Sequence, residues 1–475
     1  MKARSLFLVV PALCAGALSA RADEASPRPE PQKAPEVAEA SASVPTMTLA
    51  ECLAYAKAHA PEVRLAEARL RAQTAQAEST GSAWYPTVGV TAQLFGATAN
   101  NTTGSYVGTR SFDLPRVGGT RANGTDMTPY ASTMVAAGVN QTVFEFGRIA
   151  AQRAAQDAQV RAERERLRQD ALTSAFAVEE AYWAVLVSKV IVRSAEEAHT
   201  RAKAIRDQAE AQVKAGLRAQ GNLARAEADL ARIDAQRARA VGNVRVAEGV
   251  LAATMGHDKP FVSAKDAPRT DAEMPSLTEA IARAKTRSPR ILRVLAELSA
   301  EEKRTKAIGA EVRPTVYATA SASLRAGGQM SNQNTELEGK GFLPYVPNWD
   351  VGLVLAWPIF DGTVSGREDA QRAREEQKRE ELRATEYANA ADIRRAYVEL
   401  DTTRAQLGSL ERAVTAARAN YDQAAAQFAS GLGNAVDVAQ ASLLVVDAES
   451  GLAVATFQLA RARAQLGRLL AEDSR

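Results

Sequence analysis

The chain has 475 residues, of which 46 % are hydrophobic, 24 % charged and only 5 % aromatic. This balance is too apolar for a disordered protein, and Ala, Arg, Glu and Gln crowd the long middle stretches, which favours long helices over a compact α/β enzyme. The formal charge is +3, with 59 basic and 56 acidic residues. Lys2, Arg4 and Arg21 leave with the leader described next, so the mature chain is neutral and its charge gives no argument for nucleic-acid binding.

Lys2 and Arg4 form a positive n-region, Leu6 to Leu18 a short apolar stretch, and Ala20-Arg21-Ala22 an A-x-A processing site, so residues 1–22 read as a signal peptide. The run is too short for a bilayer-spanning anchor. Pro11-Ala12-Leu13 lacks the small residue that lipoprotein processing at Cys14 usually wants. Residues 23–46, rich in Pro, Ala, Ser and Glu, read as a flexible linker. No later segment is continuously apolar for the ~18 residues of a membrane helix, which leaves β-strands as the expected means of crossing a membrane.

The remainder is duplicated, with a first repeat over 47–270 and a second over 275–472. Thr48-Leu49-Ala50-Glu51 and Ser276-Leu277-Thr278-Glu279 each put a hydroxyl at a helix N-cap and Glu three residues on, the spacing of a capping box. Both helices break early, at Pro61 and Pro289. GSAWYPTVGVTAQL (81–94) parallels GAEVRPTVYATASASL (309–324), and QTVFEFGR (141–148) parallels WPIFDGTVSGR (357–367).

Period-two alternation predicts four strands, about 84–97, 132–144, 313–326 and 349–359. Each approaches the length of a tilted, bilayer-crossing strand. Polar, Gly- and Asn-rich loops (99–131 and 325–349) join each pair, as on the outer face of an outer-membrane barrel; a soluble sheet packed on helices is the alternative.

Residues 148–215 contain neither Pro nor Gly, predicting helices over about 147–215 and 366–430, each roughly 100 Å long, with returns over 220–254 and 434–470. Ile393, Leu400, Leu407, Val414, Tyr421 and Phe428 recur at every seventh position. So do Val438, Val445, Leu452, Leu459 and Leu466, and in the first repeat Leu223, Leu230, Arg237, Val244 and Leu251. That seam predicts left-handed supercoiling of neighbouring helices. Gly216 and Gly431 end the long helices.

Phosphate-binding, dinucleotide, zinc-protease and nucleophile-elbow motifs are absent from the sequence. The three His (His59, His199, His257) and two Cys (Cys14, Cys52) lack ligand spacing, so neither enzyme chemistry, a metal nor a cofactor is expected.

TLAECLAYAKAHAPEVRLAEARLRAQ with SLTEAIARAKTRSPRILRVLAEL, the P-T-V strands, QTVFEFGR with PIFDG, and the turns AQVKAGLRAQGNLARAEADL and AAQFASGLGNAVDVAQASLL together resemble the TolC-like outer-membrane efflux protein family, over about Thr46 to Leu470. The resemblance implies a mainly α fold with a β-barrel portion. A homotrimer would form one twelve-stranded outer-membrane barrel continued by a periplasmic α-helical tunnel. Independently, four strands cannot close a barrel with a lumen. The implied role is a passive exit duct in the outer membrane of a Gram-negative bacterium. It would dock to a periplasmic adaptor and an inner-membrane transporter, as a tripartite efflux pump or a type I protein secretion channel. A periplasmic adaptor or coiled-coil scaffold is the alternative of another class, and it leaves the strands unexplained.

By the same resemblance Gly216, Leu217, Arg218, Gly431 and Leu432 form adaptor-docking turns, and Phe428, Gly433, Asp437, Gln440 and Asn222 form the periplasmic gate. Here the family's tethering arginine falls on Gly433, and one acidic position on the neutral Gln440. The expected entrance is therefore closed by apolar packing of Phe428, with one acidic ring at Asp437; capping of its own helix is the alternative role for Asp437. The expected lipid-facing set is Val88, Val90, Leu94, Val135, Val139, Val316, Leu324, Val351, Leu353 and Leu355.

Overall fold

The computed structural model describes residues 44–98, 129–265, 274–326, 346–430 and 432–471. The leader with Cys14, most of the 23–46 linker, most of the two expected loops and Gly431 lie outside them.

The first repeat opens with β1 (Thr46–Met47), then α1 (Leu49–His59) and α2 (Pro61–Gly81). The Thr48 hydroxyl accepts from Glu51 N at 3.3 Å, and the Glu51 carboxylate accepts from Thr48 N at 2.8 Å, closing the capping box. Pro61 then starts α2, where its missing N–H costs nothing. A 3-10 turn at Ser82–Trp84 and Pro86 hold back the next strand, β2, to Thr87–Thr98. The strand β3 (Pro129–Glu145), the helices α3 (Arg148–Lys214) and α4 (Gln220–Met255), and β4 (Ser263–Ala264) follow. β4 runs parallel to β1.

The second repeat has the same order: α5 (Leu277–Arg287), α6 (Pro289–Gly309), β5 (Thr315–Ala326), β6 (Val346–Ala356), α7 (Gly362–Ala429) and α8 (Ala435–Leu469). Its capping box is only half made. Ser276 accepts from Glu279 N, but Arg283 one turn on takes the Glu279 carboxylate.

The strands form one antiparallel sheet in the order β2-β3-β5-β6. Below it α3 packs between α4 and α8, and α7 packs on α8; nearer the sheet α3 lies between α2 and α6, and α6 on α7. Sheet and helices therefore share one lateral order, with β2, α2 and α4 at one flank and β6 and α7 at the other.

The seam of α7 and α8 is buried at Ile393, Leu400, Val414, Phe428, Val438, Val445 and Leu466. Small Ala396, Thr403 and Ala417 sit between and let the helices approach. In α4 the buried row runs instead through Ala226, Ile233 and Ala240, three residues on from Leu223, Leu230 and Arg237; Arg237 itself is exposed. An arginine at a seam position would have to shed its hydration, so the small-residue row turns inward instead. A denser core, with Cys52, Val63, Tyr182, Val185, Leu251 and Met255, joins α1, α2, α3 and α4 beside the β1/β4 pair. Burial raises the Cys52 thiol to about 11.

One expectation needs correcting. α8 is long and apolar enough to cross a bilayer by length and composition, with a mean hydropathy of 1.4 over 18 residues. Only 22 % of that stretch is buried within the chain, so its apolar side chains extend beyond the seam. Glu449 ties it into the bundle, accepting from the Ser194 hydroxyl of α3 at 2.5 Å and pairing with Arg418 of α7 at 2.7 Å.

The strand-to-helix corner after β3 depends on Glu145, whose side chain is almost wholly buried. Its carboxylate accepts from Ile149 N at 2.7 and 2.8 Å and from Ala150 N at 3.4 Å, satisfying amides that begin α3. At the matching corner Asp361 accepts from Thr363 N at 2.8 Å, and its carboxyl is held below the ordinary range by these Thr363 bonds. Glu145→Ala should lower stability by about 2 kcal/mol, since buried amides lose a charged acceptor. Thermal melting followed by helical circular dichroism in detergent measures this, and an unchanged midpoint would remove the cap from the account.

Burial raises Glu179 on α3 from 4.5 to about 6. Between these values the native state holds a proton that the unfolded chain has released. Stability should therefore rise as pH falls from 6 towards 4.5. Glu179→Gln should stabilise the protein by about 2 kcal/mol at pH 7.5 and hardly at all near pH 4.5. Melting at both pH values tests the sign.

Candidate functional site

Residues opposite one another in the register share a face. Val88, Val139, Ala320 and Val351 make one row across the sheet, and Val90, Ala137, Ala322 and Trp349 the next. Ala92, Val135, Leu324 and Pro347 continue the same face upward, and Val316 and Leu355 downward. The other face carries Thr87, Thr91, Gln93, Asn140, Thr319, Ser321, Ser323, Asn348 and Asp350, with Ser321 and Asp350 hydrogen-bonded.

The apolar face is the bare one. Val90, Val351 and Leu353 are each 74 % exposed, and Val88, Leu94 and Leu355 nearly as much. Val135, Val139 and Leu324 are less exposed, and Val316 is half-buried. A sheet folding for water buries such a face, whereas this one is inverted. From Val316 to Ala326 the face runs roughly 33 Å along the strand. Tilted as barrel strands are, it would stand about 25 Å tall, the height of a hydrocarbon-facing band.

Below that band, where strands give way to helices, Tyr85, Phe144, Phe146, Trp357 and Phe360 are all exposed. Phe144 and Phe146 meet edge to face at 5.0 Å. Aromatic rings concentrate at this depth in barrels because they are stable at the headgroup boundary. The sequence reading did not single these residues out as a belt. Their signal was positional: in a chain poor in aromatics Phe144 and Phe146, and Trp357 and Phe360, cluster at two matching strand-to-helix corners, with Tyr85 at the entry to β2.

At the opposite end, α3 stops where Gly216 takes φ +73°, a left-handed conformation that lets Leu217 N reach Gln212 O at 2.9 Å. Leu217 is left 75 % exposed. Asn222 lies in the first turn of α4, its amide on Ala219 O at 3.0 Å. In the second turn Leu432 N and Gly433 N both donate to Gln427 O, at 3.0 and 2.9 Å. A Cβ on Gly433 would lie 2.8 Å from Phe428 N, so no side chain fits there. Leu432 is 88 % exposed.

Asn434 caps α8 by accepting from Val436 N. Asp437 and Gln440 follow, exposed and one turn apart. Asp437 stands in the first turn, where the helix dipole also favours an anion.

Two features describe the surroundings of the expected entrance residues. Phe428 is 3 % exposed, enclosed by Ala435 and Val438 of α8, Ile205 of α3, and Tyr421, Ala424 and Ala425 of its own helix. Burying the largest apolar side chain near the turn within its own chain is favourable, so the ring closes the hairpin and does not project from it. A side chain from the other turn reaches Gly433: Arg218 Nη2 donates to Gly433 O at 3.0 Å.

The histidines serve helix packing. His199 Nε2 lies 3.1 Å from Asp234 Oδ1 between α3 and α4, and His59 and His257 both pack against Tyr55.

The fold is shared with known channels. The structure of the outer-membrane channel OprN aligns with a TM-score of 0.69 at 21 % identity, covering 90 % of each chain. The Campylobacter jejuni CmeC outer membrane channel aligns at 0.71 and 15 % identity, over 89 % of this chain and 85 % of that one. The Neisseria gonorrhoeae MtrE outer membrane channel, solved in its open state, aligns at 0.64 and 18 % identity, over 90 % of each. No curated protein sequence matches the chain.

The profile of the outer membrane efflux proteins matches residues 53–257 and 280–472, most of both repeats. With a bare apolar sheet at one end and long helical hairpins at the other, the chain is a non-enzymatic channel component of the outer membrane with a periplasmic helical extension, and it belongs to the outer membrane efflux protein family.

Proposed function

We propose that three copies of this chain form the exit duct of a tripartite efflux pump for small molecules. The observation that carries this reading is the inverted sheet, apolar and exposed outside, polar inside, with β2 and β6 unpaired at its edges. Backbone groups at such edges have no partner in hydrocarbon, so a lone chain cannot lie stably in a bilayer. β2 and β6 run in opposite directions, so β6 of one copy can pair antiparallel with β2 of the next.

The flanks agree with this closure. α7 lies on the β6 side, and α2 and α4 on the β2 side. Exposed Val398 on α7 and exposed Val246 and Val250 on α4 lie on these facing flanks. Each junction is thus heterologous and repeats in one rotational sense, which generates a ring. Three copies of four strands make a twelve-stranded barrel with an open lumen. A periplasmic scaffold would have no use for the bare apolar sheet.

At the far end the exposed Leu217 and Leu432 favour contact with a periplasmic adaptor, since an apolar tip gains nothing from water. Asp437, repeated in three copies, would form a cation-attracting ring.

Purified protein in planar bilayers should give discrete conductance steps without nucleotide or metal; trimers that insert but never conduct would sink the duct. Asp437→Asn should lower cation selectivity, measured as a shift in reversal potential across a salt gradient, and an unchanged potential removes the ring. Leu217→Asp combined with Leu432→Asp should abolish export in cells while trimers still assemble in the outer membrane. Normal export by that double variant would remove the docking role.

A further inference from the structure

Roughly 25–45 Å back along α3 from its end at Lys214, the helices α3, α7 and α8 leave a cavity of about 630 Å³ between them. Sites that take drug-sized molecules have this volume. Its walls are mainly apolar, with Trp183, Val187 and Val190 from α3, Val414 from α7 and Leu452 from α8. Trp183 is only 6 % exposed, and its indole N–H is buried with no acceptor among the described residues. A donor left in that state is costly, and an acceptor brought in by a ligand would relieve it.

The charged groups around the cavity do not balance. Arg418 pairs with Glu449 at 2.7 Å, and Arg193 with Glu197 at 3.2 Å. Burial pushes the Glu449 carboxyl up, but bonds from Ser194 and Arg418 outweigh it and hold the carboxyl below the ordinary range, so it stays an anion. Two further cations have no carboxylate of their own. Lys189 Nζ, in the cavity wall, donates to the neutral Ala264 O of β4 at 2.7 Å. Arg201, one turn beyond Glu197, lies over the Tyr421 ring at 5.2 Å and comes no nearer to Glu197 than 3.9 Å. Its Nε and Nη2 are buried without acceptors among the described residues. Apolar walls carrying an excess of positive charge favour an anion, because little water lies between to screen it.

We propose that this cavity is a binding site for an amphipathic organic carboxylate, its head beside Lys189 and its apolar body against Trp183, Val187 and Leu452. The carboxylate supplies the charge that Lys189 lacks as a partner, and the body covers the apolar wall. The site lies within one chain, away from both hairpin turns, and does not depend on the duct reading.

The test uses the full-length protein in lipid nanodiscs, titrated calorimetrically with 2-naphthoate and with 2-naphthylmethylammonium, the same ring bearing the opposite charge; heats from empty nanodiscs are subtracted. 2-Naphthoate should bind about tenfold more tightly than the ammonium. Lys189→Gln keeps a donor for Ala264 O but removes the charge, and should weaken 2-naphthoate about tenfold. Trp183→Phe keeps a ring in the wall without its N–H and should weaken it about threefold. Val190→Trp, at a half-exposed position of the rim, fills the cavity and should abolish binding of both probes. Thermal melting identifies the variants that keep the wild-type fold. No heat from the wild type beyond that of empty nanodiscs would overturn the site, as would wild-type affinity in a folded Val190→Trp. Equal affinity for the two probes, or wild-type affinity for 2-naphthoate in Lys189→Gln, would overturn the preference for an anion.

Discussion

A peptide group in hydrocarbon has no water to bond, so every strand edge placed there must find another strand. The sheet of this chain has two such edges and a bare apolar face, and these features constrain everything around them. The lateral order of the helices follows the strands because each long helix grows directly from a strand, α3 from β3 and α7 from β6. In the proposed ring, β6 pairing with a neighbour's β2 would set α7 against that neighbour's α2 and α4.

Much of this was legible in the sequence because periodicity is a direct image of environment. The alternation of Val88, Val90, Ala92 and Leu94 with Thr87, Gly89, Thr91 and Gln93 indicates two unlike faces, and the register sets the residues in those faces. Periodicity does not say which face meets water; exposure of the apolar one does. The seven-residue seam of α7 and α8 was equally readable, because Ile, Leu, Val and Phe leave a strong trace. In α4 the trace misled, since Ala226 and Ala240 are poor markers of burial and the inward row is set three residues off.

The tips were the least legible part, for a physical reason. A turn's sequence fixes where a helix stops, and Gly216 and Gly433 mark their turns clearly. It does not fix which side chain crosses to another turn, because that depends on the placement of two distant segments. Phe428 shows the same limit: its place beside a turn does not reveal that Ile205 and Val438, from two other helices, pack around it. The two repeats have also diverged in how they finish their corners. Glu145 reaches forward into α3 from a buried position, whereas Asp361 caps α7 from the exposed surface.

α3 runs 67 residues and α7 68 without a proline. Such rods have no proline kink, and each spans roughly 100 Å. Together they act as a ruler that fixes how far below the outer membrane the tips hang. A ruler made of heptads can be recut only in whole repeats. Inserting seven residues in each helix of both hairpins lengthens it by about 10 Å and returns the seam nearly to register, whereas inserting two turns the apolar row away from its partner. Any evolutionary adjustment to a wider or narrower periplasm would therefore arrive in steps of one heptad, taken in both repeats together.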